Sequence, residues 1–260
     1  MLNYNNFFYQ NILVHTHIAK AAGSSFLFGL TKIVGEEYVY DGRHAEKKLS
    51  DLSNQEIKKL RLISGHFHLS KKISIPVEDK FFSHFLINRI LLKPKHVYKK
   101  KLYMCTLRDP ISRFISFYNF VIERPSHPAF GSVVGKSLDE VVSDYIKKEH
   151  PKIKNSQCMA VSGKKAPSFK DVLDALSRYY ILITPYFQVN EALNAMSRVM
   201  GADKEFNDVK INVGKTKDDY ISDKNRKHLM KLTALDQKLY HYSVEHFPRF
   251  IRKLEKALSR

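Results

Sequence analysis

Two short segments constrain the fold of this chain most strongly, because in each an apolar strand runs into a turn and then into an apolar helix. The first segment, HIAKAAGSSF, spans His17 to Phe26 and follows the apolar run Ile12–Val14. Small residues leave backbone N–H groups accessible, and the positive end of the following helix favours an anion. Lys20 adds a positive charge, so this segment predicts a phosphate-binding turn.

The second segment, CTLRDPISRFISFY, spans Cys105 to Tyr118 and has the same strand–turn–helix pattern. An apolar strand, Leu102–Leu107, ends at Arg108, and Pro110 suits the first turn of a helix. Arginine forms forked hydrogen bonds with phosphate, and open α/β sheets bind ligands at the carboxyl ends of their strands. The segment therefore predicts a second phosphate site.

Other phosphate-binding loops fit the chain less well. A nucleotide-hydrolysing loop places its lysine after the glycines, as in G-x-x-x-x-G-K-[ST], whereas here Lys20 precedes Gly23. The dinucleotide pattern G-x-G-x-x-G is also missing. The structural alternatives are that the small residues only permit close packing and that Arg108 forms a surface ion pair with Asp109 or another acid.

The ordered pair of segments resembles the sulfotransferases that use 3′-phosphoadenosine 5′-phosphosulfate (PAPS), particularly the branch with the heparan and chondroitin sulfotransferases and their bacterial relatives. The motifs of that family read roughly P-K-T-A-S/G-T-S-F and R-D-P-x-x-R-x-x-S-x-Y. The chain departs from them at Ala19 and Ala21, where neither change removes a charged group. The matching residues are Lys20, Gly23, Ser24, Ser25 and Phe26 in the first motif, and Arg108, Asp109, Pro110, Arg113, Ser116 and Tyr118 in the second.

The resemblance implies that the two segments bind different groups of PAPS. Lys20, with the amides and hydroxyls around Ser24 and Ser25, holds the 5′-phosphosulfate, while Arg108 and Ser116 hold the 3′-phosphate. Lys20 also stabilises the leaving phosphate. Ala22, Gly23 and Phe26 belong to the same cofactor-binding turn.

A later segment, INVGKTK from Ile211 to Lys217, resembles the part of the family's sequence that closes over the nucleotide. Lys215 or Lys217 would then reach a phosphate. A solvated basic loop is the alternative interpretation. NSQCMAVSG, from Asn155 to Gly163, resembles the N-Q-x(5)-G stretch of bacterial members, and we expect it to shape the acceptor side.

Sulfuryl transfer also requires a base near the acceptor hydroxyl, and histidine suits that role near neutral pH. The segment SGHFHL, from Ser64 to Leu69, resembles the H-G-H-V segment of the heparan 2-O-sulfotransferases, whose second histidine is the base. That position corresponds to His66, with His68 as the alternative. A histidine that only satisfies a hydrogen bond at a strand end is the structural interpretation.

Two H-x-H pairs, His15/His17 and His66/His68, invite a metal-binding interpretation, because residues two apart on a strand share a face. No further ligand set stands at a suitable spacing, and the family needs no metal. We therefore expect no metal site, with His15 and His17 as buried or sheet-face residues.

Strands that alternate with helices predict an α/β protein with a central parallel sheet flanked by helices, and the resemblance implies a three-layer P-loop NTPase-like fold. We expect one sulfotransferase domain over residues 1–260, with acceptor-side insertions roughly at 69–101 and 123–163. The carboxyl-terminal part from Ser222 is expected to be helical, with an interruption near Pro248. Strands are expected at Asn11–Ile18, Tyr38–Tyr40, Leu60–Ser64, Leu102–Leu107 and Tyr179–Ile183.

The charge is strongly positive, because 44 Lys and Arg against 26 Asp and Glu give a net charge of +18. This balance suits PAPS and an anionic acceptor, although a solvated basic surface is an equal alternative. No nucleic-acid motif is apparent. Two cysteines make a disulfide framework unexpected, and the absence of a membrane span or leader in the sequence predicts a bacterial-type cytoplasmic enzyme. Peripheral association with the inner membrane surface is a further option.

These patterns predict a sulfotransferase that moves a sulfuryl group from PAPS to a hydroxyl of a carbohydrate-type acceptor, such as a polysaccharide or glycolipid, with a histidine base. The acceptor itself can be anionic or neutral, and the oligomeric state stays open. The alternatives are a non-catalytic protein that binds nucleotides or polyanions, and a kinase on the same fold, which would depend on ATP and magnesium.

Overall fold

The computed structural model describes residues 4–66, 99–150, 153–209 and 219–258. Their strands form one sheet in which every neighbouring pair is parallel. The strands are β1 (Asn11–Thr16), β2 (Val39–Asp41), β3 (Leu62–Gly65), β4 (Lys100–Leu107) and β5 (Tyr180–Pro185). Their spatial order is β2-β3-β1-β4-β5, which confirms the predicted α/β fold with a central parallel sheet.

The strands are apolar because helices cover the sheet. Ile12, Leu13 and Val14 of β1 have no exposed surface, and neither do Met104 and Cys105 of β4. Parallel sheets are buried on both faces, so their strands have continuous apolar runs instead of alternating patterns. This is why β1 and β4 could be predicted from the sequence.

Helices occupy much of the rest of the described chain. Two of them begin with capping boxes that the sequence predicts, at Ser53 with Glu56 and at Ser137 with Glu140. The helices are α1 (Tyr4–Gln10), α2 (Gly23–Val34), α3 (Asn54–Lys59), α4 (Pro110–Ile122), α5 (Leu138–Lys147), α6 (Ser156–Ser162), α7 (Phe169–Arg178), α8 (Val189–Met200), α9 (Asp223–Leu232) and α10 (Ala234–Leu258).

Several helices pack against the sheet. Helix α10 contacts β5, and α2 contacts β3, β4 and α8. A second cluster of buried side chains joins α4, α5 and α9, and it includes Phe114, Val141 and Leu229. None of the described helices has the length and apolarity required to cross a membrane.

The predicted interruption near Pro248 is wrong, because α10 continues through that residue. An interior proline removes one helical hydrogen bond and costs about 3 kcal/mol. Here the helix is buried on both sides of the proline: Leu239 and Phe247 precede it, and Phe250 and Leu254 follow it. Burial of such side chains stabilises by roughly 1.5–3 kcal/mol each, which outweighs the cost of the proline.

Gly29 lies where α2 meets α8, and a β-carbon there would overlap both methyl groups of the fully buried Leu193. Overpacking of this kind costs about 1–3 kcal/mol, and the better helix propensity of alanine offsets up to about 1 kcal/mol. We expect Gly29→Ala to lower the melting temperature by several degrees in thermal unfolding. Gly131→Ala is the matched control, since nothing lies within 4 Å of its added carbon. Equal melting temperatures for the two variants would contradict the packing described here.

Candidate functional site

A large pocket lies where the five parallel strands end. Because the strands run in one direction, their carboxyl ends share one edge of the sheet, which is where open α/β sheets bind ligands. The pocket has a volume of about 1650 Å³. Residues that follow each strand line it: Arg43 after β2, His66 after β3, His17 and Lys20 after β1, Arg108 after β4 and Tyr186 after β5.

The strand order fixes how these residues are arranged. Strand β1 lies between β3 and β4, so the turn that carries Lys20 separates His66 from Arg108. The connections from β1 lead first to β2 and β3 on one side and later to β4 and β5 on the other. Such a reversal of direction is the usual place for a ligand in this class of sheet.

The turn after β1 has an unusual backbone. Lys20 and Ala22 both have φ 65°, in the left-handed region that costs non-glycine residues free energy. The first N–H groups of α2 have no intrahelical acceptor, and Ala22, which precedes the helix, has no side chain that could cap them. A β-carbon at Gly23 would lie only 3.0 Å from the His17 ring, so a larger residue at this position would have to displace that ring. The turn therefore presents N–H groups and a lysine to the pocket.

Lys20 lies among other positive charges. Its Nζ is 4.0 Å from the centroid of the Phe120 ring, and the guanidinium carbon of Arg124 is 3.8 Å from the same centroid. Burial, together with the charges of Arg124 and Arg108, lowers the pKa of Lys20 to about 8. A bound anion would relieve this repulsion.

The junction of β4 and α4 explains the second sequence motif. Asp109 accepts a hydrogen bond from the Ser112 N–H at 2.8 Å and caps α4, while Pro110 occupies the first helical position. The Arg108 guanidinium carbon lies 4.9 Å from the Tyr186 ring centroid, and its buried Nε has no hydrogen-bond partner among the described residues. Burial lowers the pKa of Arg108. Arg108 thus retains a donor for a ligand.

His66 is exposed and lines the pocket. Its Nδ1 lies 2.8 Å from the carbonyl oxygen of His17. A carbonyl can only accept, so Nδ1 donates, and in the neutral ring the lone pair is then on Nε2. The fold therefore sets the tautomer that a base requires.

His15 and His17 are buried, as predicted. Burial is the largest cause that lowers the pKa of His15 to about 3 and that of His17 to about 2. Both rings are therefore neutral near pH 7. His15 Nδ1 lies 2.9 Å from Ser64 Oγ, which ties β1 to β3. The described residues contain no group of three or more His, Cys, Asp or Glu that could hold a metal ion.

The structure brings together most of the residues selected from the sequence. Phe26 differs, because its side chain is fully buried in the core, 5.4 Å from the His15 ring. His68, Lys215 and Lys217 lie outside the described residues. The selected residues that line the pocket are Lys20, Ala22, Gly23, Ser24, Ser25, His66, Arg108 and Ser116.

A comparison of the sequence with models of protein families identifies the family of this chain. Residues 7–256 match the model of the sulfotransferase family. The chain belongs to this family. Sulfotransfer from a sulfonate donor is accordingly the activity that the family supports. A search of curated proteins finds no sequence that matches the sulfotransferase significantly.

Two pocket arginines of the sulfotransferase were missed in the sequence. Arg43 forms an ion pair with Asp41 (2.6 Å) and donates from Nη1 to Ser24 Oγ (3.0 Å), so it orients a hydroxyl of the turn. Its place after a predicted strand was the available signal. Arg124 donates to the Phe120 carbonyl at 3.1 Å, and no sequence pattern pointed to it.

Proposed function

We propose that this sulfotransferase moves a sulfuryl group from PAPS to a hydroxyl of a carbohydrate-type acceptor. The observation that carries the proposal is the order of side chains along the sheet edge. Lys20 lies in the turn after the central strand, with Arg108 on one side of it and His66 on the other. That order matches a donor with two phosphate positions and an acceptor whose hydroxyl faces a base.

Two features support PAPS as the donor. The turn at Lys20 to Ser25 presents helix N–H groups beside a lysine, and Arg108 has a buried donor without a partner among the described residues. Lys20, Ser24 and Ser25 would hold the 5′-phosphosulfate, and Arg108 with Ser116 would hold the 3′-phosphate. Lys215 and Lys217 remain our candidates for the segment that closes over the nucleotide.

His66 is our candidate for the general base. When bound, PAPS supplies the sulfuryl group and leaves as adenosine 3′,5′-bisphosphate. The proton of the acceptor hydroxyl would pass to His66 Nε2, while the donor bond from Nδ1 to the His17 carbonyl stabilises the charged ring. The Lys20 ammonium would stabilise the negative charge that develops on the leaving phosphate.

The proposal of a carbohydrate-type acceptor rests on the resemblance to the heparan and chondroitin sulfotransferases, on the volume of the pocket and on the net positive charge of the chain. The volume of about 1650 Å³ exceeds that of a typical small-molecule site, roughly 300–1,000 Å³, and leaves room for a sugar beside a nucleotide. The net charge of +18 suits an acidic polysaccharide or glycolipid. We further propose that residues 1–260 act as one domain in the cytoplasm, with acceptor-side segments around 69–101 and 123–163.

A transfer screen tests this proposal. Purified protein is incubated with PAPS labelled with radioactive sulfur and with capsular, lipid-linked or glycosaminoglycan acceptors. We expect label in at least one carbohydrate, with Arg108→Ala as a control whose activity is reduced at subsaturating PAPS. Label that enters only small phenols or alcohols would overturn the carbohydrate acceptor, and tight nucleotide binding without transfer to any acceptor would indicate a non-catalytic protein.

The low pKa of Lys20 predicts how donor affinity depends on pH. A bound anion raises this pKa above about 8, so binding takes up a proton between the two values, and affinity falls as the pH rises through that range. We expect calorimetric affinity for adenosine 3′,5′-bisphosphate to decline above pH 8. In Lys20→Arg the decline should disappear, because arginine stays protonated. An identical decline in that variant would show that another group titrates.

A further inference from the structure

We propose that Gln157, supported by Asn155, Ser156 and Asp236, is a positioning residue that holds Arg108 in the orientation required to bind the 3′-phosphate of the donor. This inference rests on the proposed function, since it presupposes that Arg108 contacts that phosphate. Residues Asn155–Gln157 belong to the stretch expected to shape the acceptor side. Ser156 and Gln157 also contact the two arginines of the second motif.

The side-chain amide of Gln157 forms a reciprocal pair of hydrogen bonds with the backbone of Arg108. The Arg108 N–H donates to Oε1 at 3.1 Å, and Nε2 donates to the Arg108 carbonyl at 2.8 Å. Gln157 is fully buried. Arg108 is the first residue after β4, where the strand ladder has ended, so these two bonds fix the peptide that carries its guanidinium.

The neighbouring serine orients the second arginine of the motif. Arg113 Nη2 donates to Ser156 Oγ at 2.6 Å, and Arg113 also lines the pocket. Two consecutive residues of one short segment therefore hold Arg108 by its backbone and Arg113 by its side chain. Both contacts place the start of α6 against the junction of β4 and α4.

A buried carboxylate holds this segment in place. Asp236, which has no exposed surface, accepts hydrogen bonds from the N–H groups of Gln157 (3.1 Å) and Cys158 (2.8 Å). Asn155 Oδ1 in turn accepts from the N–H groups of Leu235 (3.0 Å) and Asp236 (3.3 Å). The start of α10 is thereby joined to the start of α6 through four hydrogen bonds, and α6 is joined to Arg108 through two more.

Arg108 follows β4, whereas His66, the proposed base, follows β3 on the other side of β1. A disturbance of Gln157 should thus change how the site recognises the 3′-phosphate and leave the rest of the nucleotide site intact. This separates a positioning role from a merely structural one. General loss of structure would weaken every nucleotide alike.

The test compares adenosine 3′,5′-bisphosphate with adenosine 5′-monophosphate, which lacks the 3′-phosphate. In Gln157→Met, which is similar in size and cannot form either bond, we expect the preference for the bisphosphate to fall about tenfold while monophosphate affinity stays within about twofold. Gln237→Met is the matched control, since Gln237 lies in α10 and bonds to Met230 and Thr233. Its preference should equal that of the wild type.

Ser156→Ala provides a second variant in case Gln157→Met does not fold. It deletes the bond to Arg113, and we expect a reduction of about threefold in the same preference. If the wild type prefers the bisphosphate and the folded variants retain that preference in full, the positioning role is overturned while the proposed function stands. If the wild type binds both nucleotides equally, the assignment of Arg108 to a 3′-phosphate fails, and this inference fails with it.

Discussion

Replacement of His66 by alanine is expected to lower kcat for sulfate transfer by about 10²–10⁴-fold, the usual contribution of a positioned general base. The Nδ1 bond to the His17 carbonyl holds the ring with its lone pair on Nε2, and alanine removes both groups. Affinity for adenosine 3′,5′-bisphosphate should stay within about twofold, because a base acts on the acceptor hydroxyl and not on the nucleotide. Initial rates with saturating donor and acceptor measure the first effect, and calorimetry measures the second.

His44→Ala is the matched control for this variant. His44 also lines the pocket and is exposed, but it follows β2 and has no part in the proposed mechanism. Its kcat should remain close to that of the wild type. Full activity of His66→Ala on an accepted carbohydrate would remove His66 as the base and leave His68 as the next candidate, without affecting the donor assignment.

The second large effect is a loss of nucleotide affinity when Lys20 or Arg108, the two positively charged side chains of the proposed donor site, is replaced. Arg108→Met is expected to weaken binding of adenosine 3′,5′-bisphosphate by about 10–100-fold, the range for a lost charge-assisted hydrogen bond to phosphate. Lys20→Met should weaken binding by a similar factor and also lower kcat, since Lys20 is assigned to the leaving phosphate. The two variants differ because the proposed contact of Lys20 strengthens in the transition state and therefore affects kcat. A contact that is equally strong with the bound donor and with the transition state, as proposed for Arg108, affects only KM.

Arg178→Met serves as the control for lost charge, because Arg178 is exposed at the end of α7, outside the pocket. Its affinity should match the wild type at constant ionic strength. Unchanged nucleotide affinity in both Lys20→Met and Arg108→Met would end the assignment of this pocket to PAPS.

The sequence predicts the fold best where local chemistry decides the structure. Strand β1, helix α2 and helix α4 follow from apolar runs, a small-residue turn and the Asp109–Pro110 start. Helix α7 was not predicted, although Ser168 and Asp171 form a capping box at its start. The course of α10 through Pro248 depends on burial by distant residues and had no local signal.

The residues of the candidate site also differ in whether local sequence predicts them. Lys20, Arg108 and His66 follow predicted strands, so the rule that parallel strands end at one edge was enough to bring them to one pocket. Arg43 could have been found by the same rule. The bonds from Gln157 to Arg108 and to Asp236 join residues that are 49 and 79 positions apart in the chain, and no spacing pattern reports such contacts.

In the proposed function, the pocket binds a 3′-phosphorylated adenine nucleotide that donates sulfate. The most direct measurement is calorimetric titration of the wild-type protein with adenosine 3′,5′-bisphosphate in the presence of EDTA, and with ATP in the presence of magnesium. We expect the bisphosphate to bind at least about tenfold more tightly, without metal, because Arg108 gains a partner. Tighter binding of magnesium–ATP, with weak or no binding of the bisphosphate, would contradict the proposed function and favour a kinase.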